Sequence, residues 1–269
     1  MKEIKLKNRF GVSNLIFNKL QNQTLNSILN FSQVCDFAPT IHYGSWKNTP
    51  NVIPLKPYRN KLTKICALQS LFFNIDNISL LKSDKEFSNL FKHLIKVIKI
   101  SAKSDIPYLI FGSPNTRKDR SSKLTDKNLF KRIESIANLA ESYQTKLCFE
   151  VNSQRFGCEY INTNKSLLSL LSEMQHDGLG LHFDLGQMID EKVDYLKVIK
   201  NNINSISHFH LSSEDFSFRP SMKAQYIEVI DILNTSYNQI DIILEVQSIN
   251  KSQEPELVEL CEELSIKCN

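Results

Sequence analysis

The sequence predicts an α/β protein, a single (β/α)8 TIM barrel spanning residues 1–269. Three observations carry this. Eight short apolar runs of strand length alternate with eight longer stretches of helical periodicity along the chain. A length of 269 residues suits one barrel, whose usual size is about 250 residues. The rival fold, an open doubly wound sheet, opens on a glycine-rich phosphate loop. Neither GxGxxG nor GxxxxGKS/T occurs among the seven glycines.

The first strand is read at Phe10–Val12 and its helix at Thr24–Ser32. The second strand, Val34–Ala38, leads into the longest irregular stretch, Thr40–Pro57, which contains Trp46 and several prolines. A barrel places active-site loops after its strands, so this stretch is a candidate. A short, weakly patterned helix is expected over Pro57–Thr63, and the third strand over Ile65–Phe73. The strongest helical pattern follows at Lys85–Ser101. Phe87, Leu90, Phe91, Leu94, Ile95 and Ile98 form one stripe there, with Ser83 or Asp84 as the N-cap. The fourth unit pairs Tyr108–Phe111 with Asn128–Tyr143, started by Asp126. The fifth pairs Leu147–Val151 with Asn164–Met174, and the sixth Gly180–Phe183 with Asp190–Asn202. The seventh pairs Ile206–Leu211 with Lys223–Asn234, and the eighth Ile242–Val246 with Pro255–Leu264.

Composition excludes several classes. With 41% hydrophobic and 23% charged residues, the chain is not disordered. A net charge of +4 with scattered lysines argues against a nucleic-acid partner, which calls for a clustered basic stripe. Cysteines at 35, 66, 148, 158, 261 and 268 form no CxxC pair, so reduced thiols in a cytoplasmic protein are expected. The start, Met-Lys-Glu-Ile-Lys, lacks an apolar signal core. No run approaches the roughly 18 apolar residues of a membrane helix, so no membrane partner is expected. Assembly into a homo-oligomer stays open.

The informative polar residues stand at the C-terminal ends of the last four strands, the rim where a barrel gathers catalytic groups. They are Glu150 and Asn152, His182 and Asp184, His208 and His210, and Glu245 and Gln247. A carboxylate inside an apolar strand is costly unless it is paired or bound to a metal. Three carboxylates and a histidine on four consecutive strands point to one divalent metal ion held by Glu150, Asp184, His210 and Glu245, with a structural polar cluster as the alternative. Mixed oxygen and nitrogen donors suit Mn, Mg, Co, Fe or Zn, and spacing does not choose among them.

His208, two residues before His210, faces the same side of its strand as a deeper hydrogen-bonding group or a substrate contact. His182 either orients a ligand or packs in the core. Arg117 ends the Gly-Ser-Pro-Asn-Thr-Arg loop, where its fork could grip a phosphate or carboxylate. The alternative is a solvated arginine beside Lys118 and Arg120. Gln69 and Asn152 are candidates to hydrogen-bond substrate hydroxyls. His42, Tyr43 and Trp46 form either a wall for sugar stacking or ordinary loop packing. His93 and His176 are expected at the surface.

In order along the chain, CFEVN (148–152), GCEYINT (157–163), HFDLGQ (182–187), HFHLS (208–212) and LEVQ (244–247) resemble the xylose-isomerase-like barrel superfamily. That group includes sugar and sugar-phosphate isomerases and epimerases, inosose dehydratases and type IV endonucleases. LIFGSPNTR (109–117) is similar to a strand-four signature of its sugar-phosphate isomerase-like members. The resemblance implies a metal-dependent isomerase or epimerase of a sugar or sugar phosphate. In the ketose 3-epimerase branch, the glutamates matched by Glu150 and Glu245 bind the metal and exchange the substrate proton, with Asp184 and His210 completing the metal shell.

Two departures change the substrate contacts. Gln187 stands where the epimerases carry a histidine. Arg219-Pro220 is followed by Ser221 rather than glycine, at longer spacing. Gln187 and Arg219 are therefore candidates in an altered pocket. A dehydratase or lyase acting on a cyclitol or sugar acid, or a non-catalytic sugar-binding barrel, are the alternatives. Gln69 and Gln187 argue against the three-zinc site of the endonucleases, which needs histidines there.

Overall fold

Each of the eight apolar runs becomes a strand, because β-branched and aromatic side chains pack on a pleated surface buried on both faces. The computed structural model describes residues 7–54 and 63–268. Strands β1 (Arg9–Val12), β2 (Val34–Phe37), β3 (Lys64–Leu68), β4 (Tyr108–Phe111), β5 (Lys146–Phe149), β6 (Leu179–Asp184), β7 (Ile206–Leu211) and β8 (Asp241–Leu244) close in chain order into a parallel barrel. Helices α1 (Asn22–Phe31), α2 (Pro39–Tyr43), α3 (Asp84–Lys103), α4 (Asp126–Ser142) and α5 (Asn164–Met174) come first. They are followed by α6 (Leu185–Asp190), α7 (Tyr195–Asn202), α8 (Lys223–Leu233) and α9 (Glu254–Cys268). Among the described residues no helix is long and apolar enough to cross a membrane.

Residues group into two units by contact. One joins the segment ending at Phe37, the segment ending at Cys66 and everything from His182 onward. The other joins the segment that begins at Ala38 with Ala67–Leu181.

In the first unit β1 runs beside β8 from Arg9↔Asp241 to Val12↔Leu244, and β7 beside β8 from His208↔Asp241 to Leu211↔Leu244. Arg9 clasps Asp241 through two hydrogen bonds of 2.7 Å, which neutralises a carboxylate at the buried foot of β8. Val34, Cys66 and Ile243 form a core cluster. Gly11 is required where β1 meets β2, since a Cβ there would overlap the Val34 carbonyl.

In the second unit β4, β5 and β6 pair in register, Ile110↔Cys148 and Cys148↔Gly180. Ala67, Ile110 and Cys148 pack together. Phe111 stacks on Phe149 at 4.9 Å and meets Phe72 at 4.8 Å. Helix α3 opens on a reciprocal capping box, Ser83 with Glu86.

Several elements differ from the sequence reading. The third strand ends at Leu68, because Ser70 turns left-handed at φ 53° and Phe73 is 53% exposed. Strands β5 and β8 also end two residues earlier at the top, at Phe149 and Leu244, so Glu150 and Glu245 stand just beyond them. The irregular stretch after β2 holds helix α2, with Pro39 in its first turn. Thr125, not Asp126, caps α4, accepting from the Asn128 amide. The single helix expected over Asp190–Asn202 is two. Asp184 caps α6, Asp194 caps α7, and Lys192 between them is left-handed at φ 58°. A 3-10 turn at Asn14–Lys19 was not expected. The Pro57–Thr63 helix lies outside the described residues except for Thr63, which is not helical. All six cysteines are free and buried.

Candidate metal centre

The first unit builds its site from the ends of three successive strands. Asp184 closes β6, His210 sits on β7, and Glu245 follows β8. All three are buried, and their ligand atoms lie within 4.8 Å of one another. His210 Nδ1 is 3.0 Å from Glu245 Oε2 and 3.8 Å from Asp184 Oδ2. Asp184 is fixed from its own side. Its Oδ1 accepts from the Gln187 amide at 2.7 Å, and Ser212 Oγ lies 2.8 Å from both carboxylate oxygens. The turn that allows this needs Gly186, where a Cβ would overlap Ser212 Oγ and the Ser213 carbonyl. Gln187 is buried in the first turn of α6.

A second layer lies on β2. Asp36, wholly buried, accepts from His208 Nε2 on Oδ1 and from His210 Nε2 on Oδ2, both at 2.8 Å. Cys66 Sγ approaches Oδ1 at 3.3 Å, and burial pushes its thiol pKa up, so it acts as a donor. Burial alone would raise the Asp36 pKa. The charges and hydrogen bonds of His208 and His210 outweigh it and hold the carboxyl well below the usual range. His208 Nδ1 is 3.0 Å from His182 Nδ1. His208 is thus committed on both nitrogens, which matches the deeper hydrogen-bonding role and leaves no nitrogen for a substrate.

The second unit holds Glu150 just past β5, nearly buried. Its carboxylate occupies the space over Gly112, where a Cβ would overlap Oε2. Asn152 donates to the Val151 carbonyl at 3.2 Å and faces Glu150 Oε2 at 3.5 Å. Arg117 is fully buried rather than solvated. Its fork donates to the carbonyls of Glu150 at 2.9 Å and of Tyr160 and Ile161 at 3.3 Å, and to Asn152 Oδ1 at 2.5 Å. The guanidinium therefore fastens the loop after β5 to the end of β4, and its terminal nitrogens are engaged by the protein itself.

Of the other candidates, Gln69 is buried beyond β3. Arg219 lies on a surface loop paired with Glu214 at 3.0 Å and Asp215 at 2.9 Å. Hydrogen bonds from Ser217 and then Arg219 hold the Asp215 carboxyl well below its ordinary range. Trp46 is buried, donates to the Ser70 carbonyl at 3.3 Å and meets the His93 ring edge-on, so loop packing describes it. His93 is not a surface residue. Its Nε2 is 2.7 Å from the Leu71 carbonyl, and Phe72 flanks its ring. His42 and Tyr43 touch edge-on at 4.6 Å. His176 lies near the surface, 3.0 Å from Asn138 Oδ1. Sequence reasoning missed Asp36 and Ser212. Asp36 carries the same signal as the others, a carboxylate within the apolar run Val34–Ala38.

Residues 54–264 match the family model described as xylose isomerase-like TIM barrel. A search of curated proteins by sequence returned no match. Among solved structures, 3-keto-D-glucoside 4-epimerase from E. coli is similar at a TM-score of 0.69 and 11% identity, over 94% of this chain and 99% of that one. An L-ribulose 3-epimerase gives 0.71 and 14%, over 96% and 92%. The IolI protein, solved with a zinc atom, gives 0.68 and 11%, over 97% of each chain. At these identities the likeness is one of fold.

Proposed function

The chain belongs to the xylose isomerase-like TIM-barrel family, and on that premise we propose that it is a metal-dependent isomerase or epimerase of a small sugar. The observation that carries this is the convergence of Asp184, His210 and Glu245. They stand at the strand ends where barrels of this kind do their chemistry. Glu150, just past β5, is the fourth ligand in this reading, as the resemblance of CFEVN (148–152) to the family's metal-binding strand implies.

The residues fit a divalent ion by the chemistry of the donor set. Two buried carboxylates that converge on one imidazole within 4.8 Å are costly without a compensating positive charge, which a bound cation would supply. Mixed oxygen and nitrogen donors accept Mn, Mg, Co, Fe or Zn. When bound, such an ion supplies polarisation of a substrate carbonyl and its neighbouring hydroxyl, which acidifies the adjacent carbon-bound proton. The glutamates handle that proton. One of Glu150 and Glu245 removes it and the other can return it, so the pair serves epimerisation, while one alone suffices for isomerisation. Gln69, Asn152 and Gln187 are the proposed contacts to substrate hydroxyls. The engagement of Arg117 and Arg219 with protein groups favours an unphosphorylated sugar over a sugar phosphate. Six buried free thiols suit a reducing cytoplasm.

The test loads the protein with each metal in turn and offers ketopentoses, ketohexoses and their phosphates in deuterated water. The expected result is a stereoisomeric or constitutional isomer carrying solvent deuterium at one carbon. A product lighter by one water would replace this reading with a dehydratase. Turnover of none of the sugars under any metal would overturn it.

A further inference from the structure

We propose that Asp36 is the positioning residue of the metal centre, locking the His210 imidazole in the tautomer whose Nδ1 lone pair faces Asp184 and Glu245. This rests on the reading of Asp184, His210 and Glu245 as a divalent-ion site. An ionised carboxylate only accepts hydrogen bonds. Asp36 divides its two oxygens between two imidazoles, Oδ1 to His208 Nε2 and Oδ2 to His210 Nε2, each at 2.8 Å. Both Nε2 atoms must therefore carry protons. In the neutral His210 ring, Nδ1 is then left as a lone pair, 3.0 Å from Glu245 Oε2 and 3.8 Å from Asp184 Oδ2. The opposite tautomer would aim a proton into the place an ion needs.

The same carboxylate orders the next ring. With its Nε2 protonated, His208 has only an Nδ1 lone pair to offer, so His182 Nδ1, 3.0 Å away, is the donor. One carboxylate on β2, a strand that bears none of the metal donors, thus sets the protons of three histidines. Its own orientation is fixed by His208 and by the Cys66 thiol at 3.3 Å. A carboxylate behind a liganding imidazole also raises the basicity of the nitrogen that faces the ion. Asp36 accordingly acts on the ion through His210 without touching it.

Two measurements test this. Long-range proton–nitrogen spectra of the assigned imidazoles in the wild-type protein should show a proton on His210 Nε2, facing Asp36, and on His182 Nδ1. A His210 ring that carries no proton on Nε2 overturns the proposal, and this arm needs no variant to fold. Calorimetry with Mn²⁺ should then show Asp36→Asn binding about 10- to 100-fold more weakly than wild type, with an unchanged circular dichroism spectrum. Equal affinity within twofold overturns the proposal. If the wild type binds neither Mn²⁺ nor Zn²⁺, the metal reading itself fails, and the imidazole spectra still decide whether Asp36 sets the tautomers.

Discussion

Gly112 and Arg117 hold Glu150 from two sides, one by being small and one by being large. A Cβ at Gly112 meets only the far end of the Glu150 side chain. Gly112→Ala should therefore leave the fold intact, at a cost of about 1 kcal/mol, and push the carboxylate aside. Turnover should fall by ~10²-fold, the usual penalty for a catalytic group displaced by about an ångström, read by steady-state kinetics beside a urea melt. Arg117→Lys keeps the charge but loses the fork and strands some of four acceptors. Urea unfolding should show a loss of about 3 kcal/mol, with turnover reduced alike for phosphorylated and free sugars. Unchanged stability with loss confined to phosphorylated substrates would make Arg117 a substrate ligand instead. At this scale the legible residues were those whose polarity clashes with an apolar strand: Asp184, His210 and Glu245. Arg117 was not legible, because Lys118 and Arg120 make its loop look solvated. Its burial comes from residues distant in the chain, Glu150, Asn152, Tyr160 and Ile161, which take its hydrogen bonds.

At the scale of elements, caps decide where helices begin and break. The Ser83–Glu86 box satisfies two backbone donors at the start of α3, the helix with the strongest apolar stripe. Ser83→Ala should cost about 1 kcal/mol of stability without changing metal affinity, measured by thermal melts and calorimetry. The periodicity of α3 and α4 was plain in the sequence, since both are long and amphipathic. The break between α6 and α7 was hidden for a physical reason. Asp184 serves as the cap of α6 and, in the proposed reading, also as a donor at the site. A residue read for its chemistry is easily passed over as a helix start. The third strand was read too long because Ile65–Phe73 is apolar almost throughout, and nothing local announces the left-handed Ser70.

For the whole molecule, alternation of strand and helix was enough to give the barrel, because eight repeats of one unit leave few other ways to bury them all. A divalent ion binding the folded form alone should raise the melting temperature. At a concentration a hundredfold above its dissociation constant it adds about 2.7 kcal/mol, and a chelator should reverse the shift. Elemental analysis should find about one ion per chain. The division into two units falls inside strands, between Cys66 and Ala67 in β3 and between Leu181 and His182 in β6. A strand does not fold by halves, so we propose that residues 1–269 form one domain. Melts followed by fluorescence and by circular dichroism should coincide in a single transition, and two separated midpoints would refute this.

The pairing of β1 with β8 has a consequence in time. Arg9 and Asp241 are 232 residues apart along the chain. A ribosome adding about 5–20 residues per second needs roughly 10–50 s to join them. Throughout that interval β1 can find β2, but its other edge, with the backbone amides of Arg9 and Ser13 that bond to β8, has no native neighbour. Of the eight strands, β1 is made first and is the last to be covered on both sides. Asp184, His210 and Glu245 emerge within the same late segment. A nascent chain is therefore open to mispairing along β1 until β8 is made, and the residues of the proposed site arrive only with the later strands.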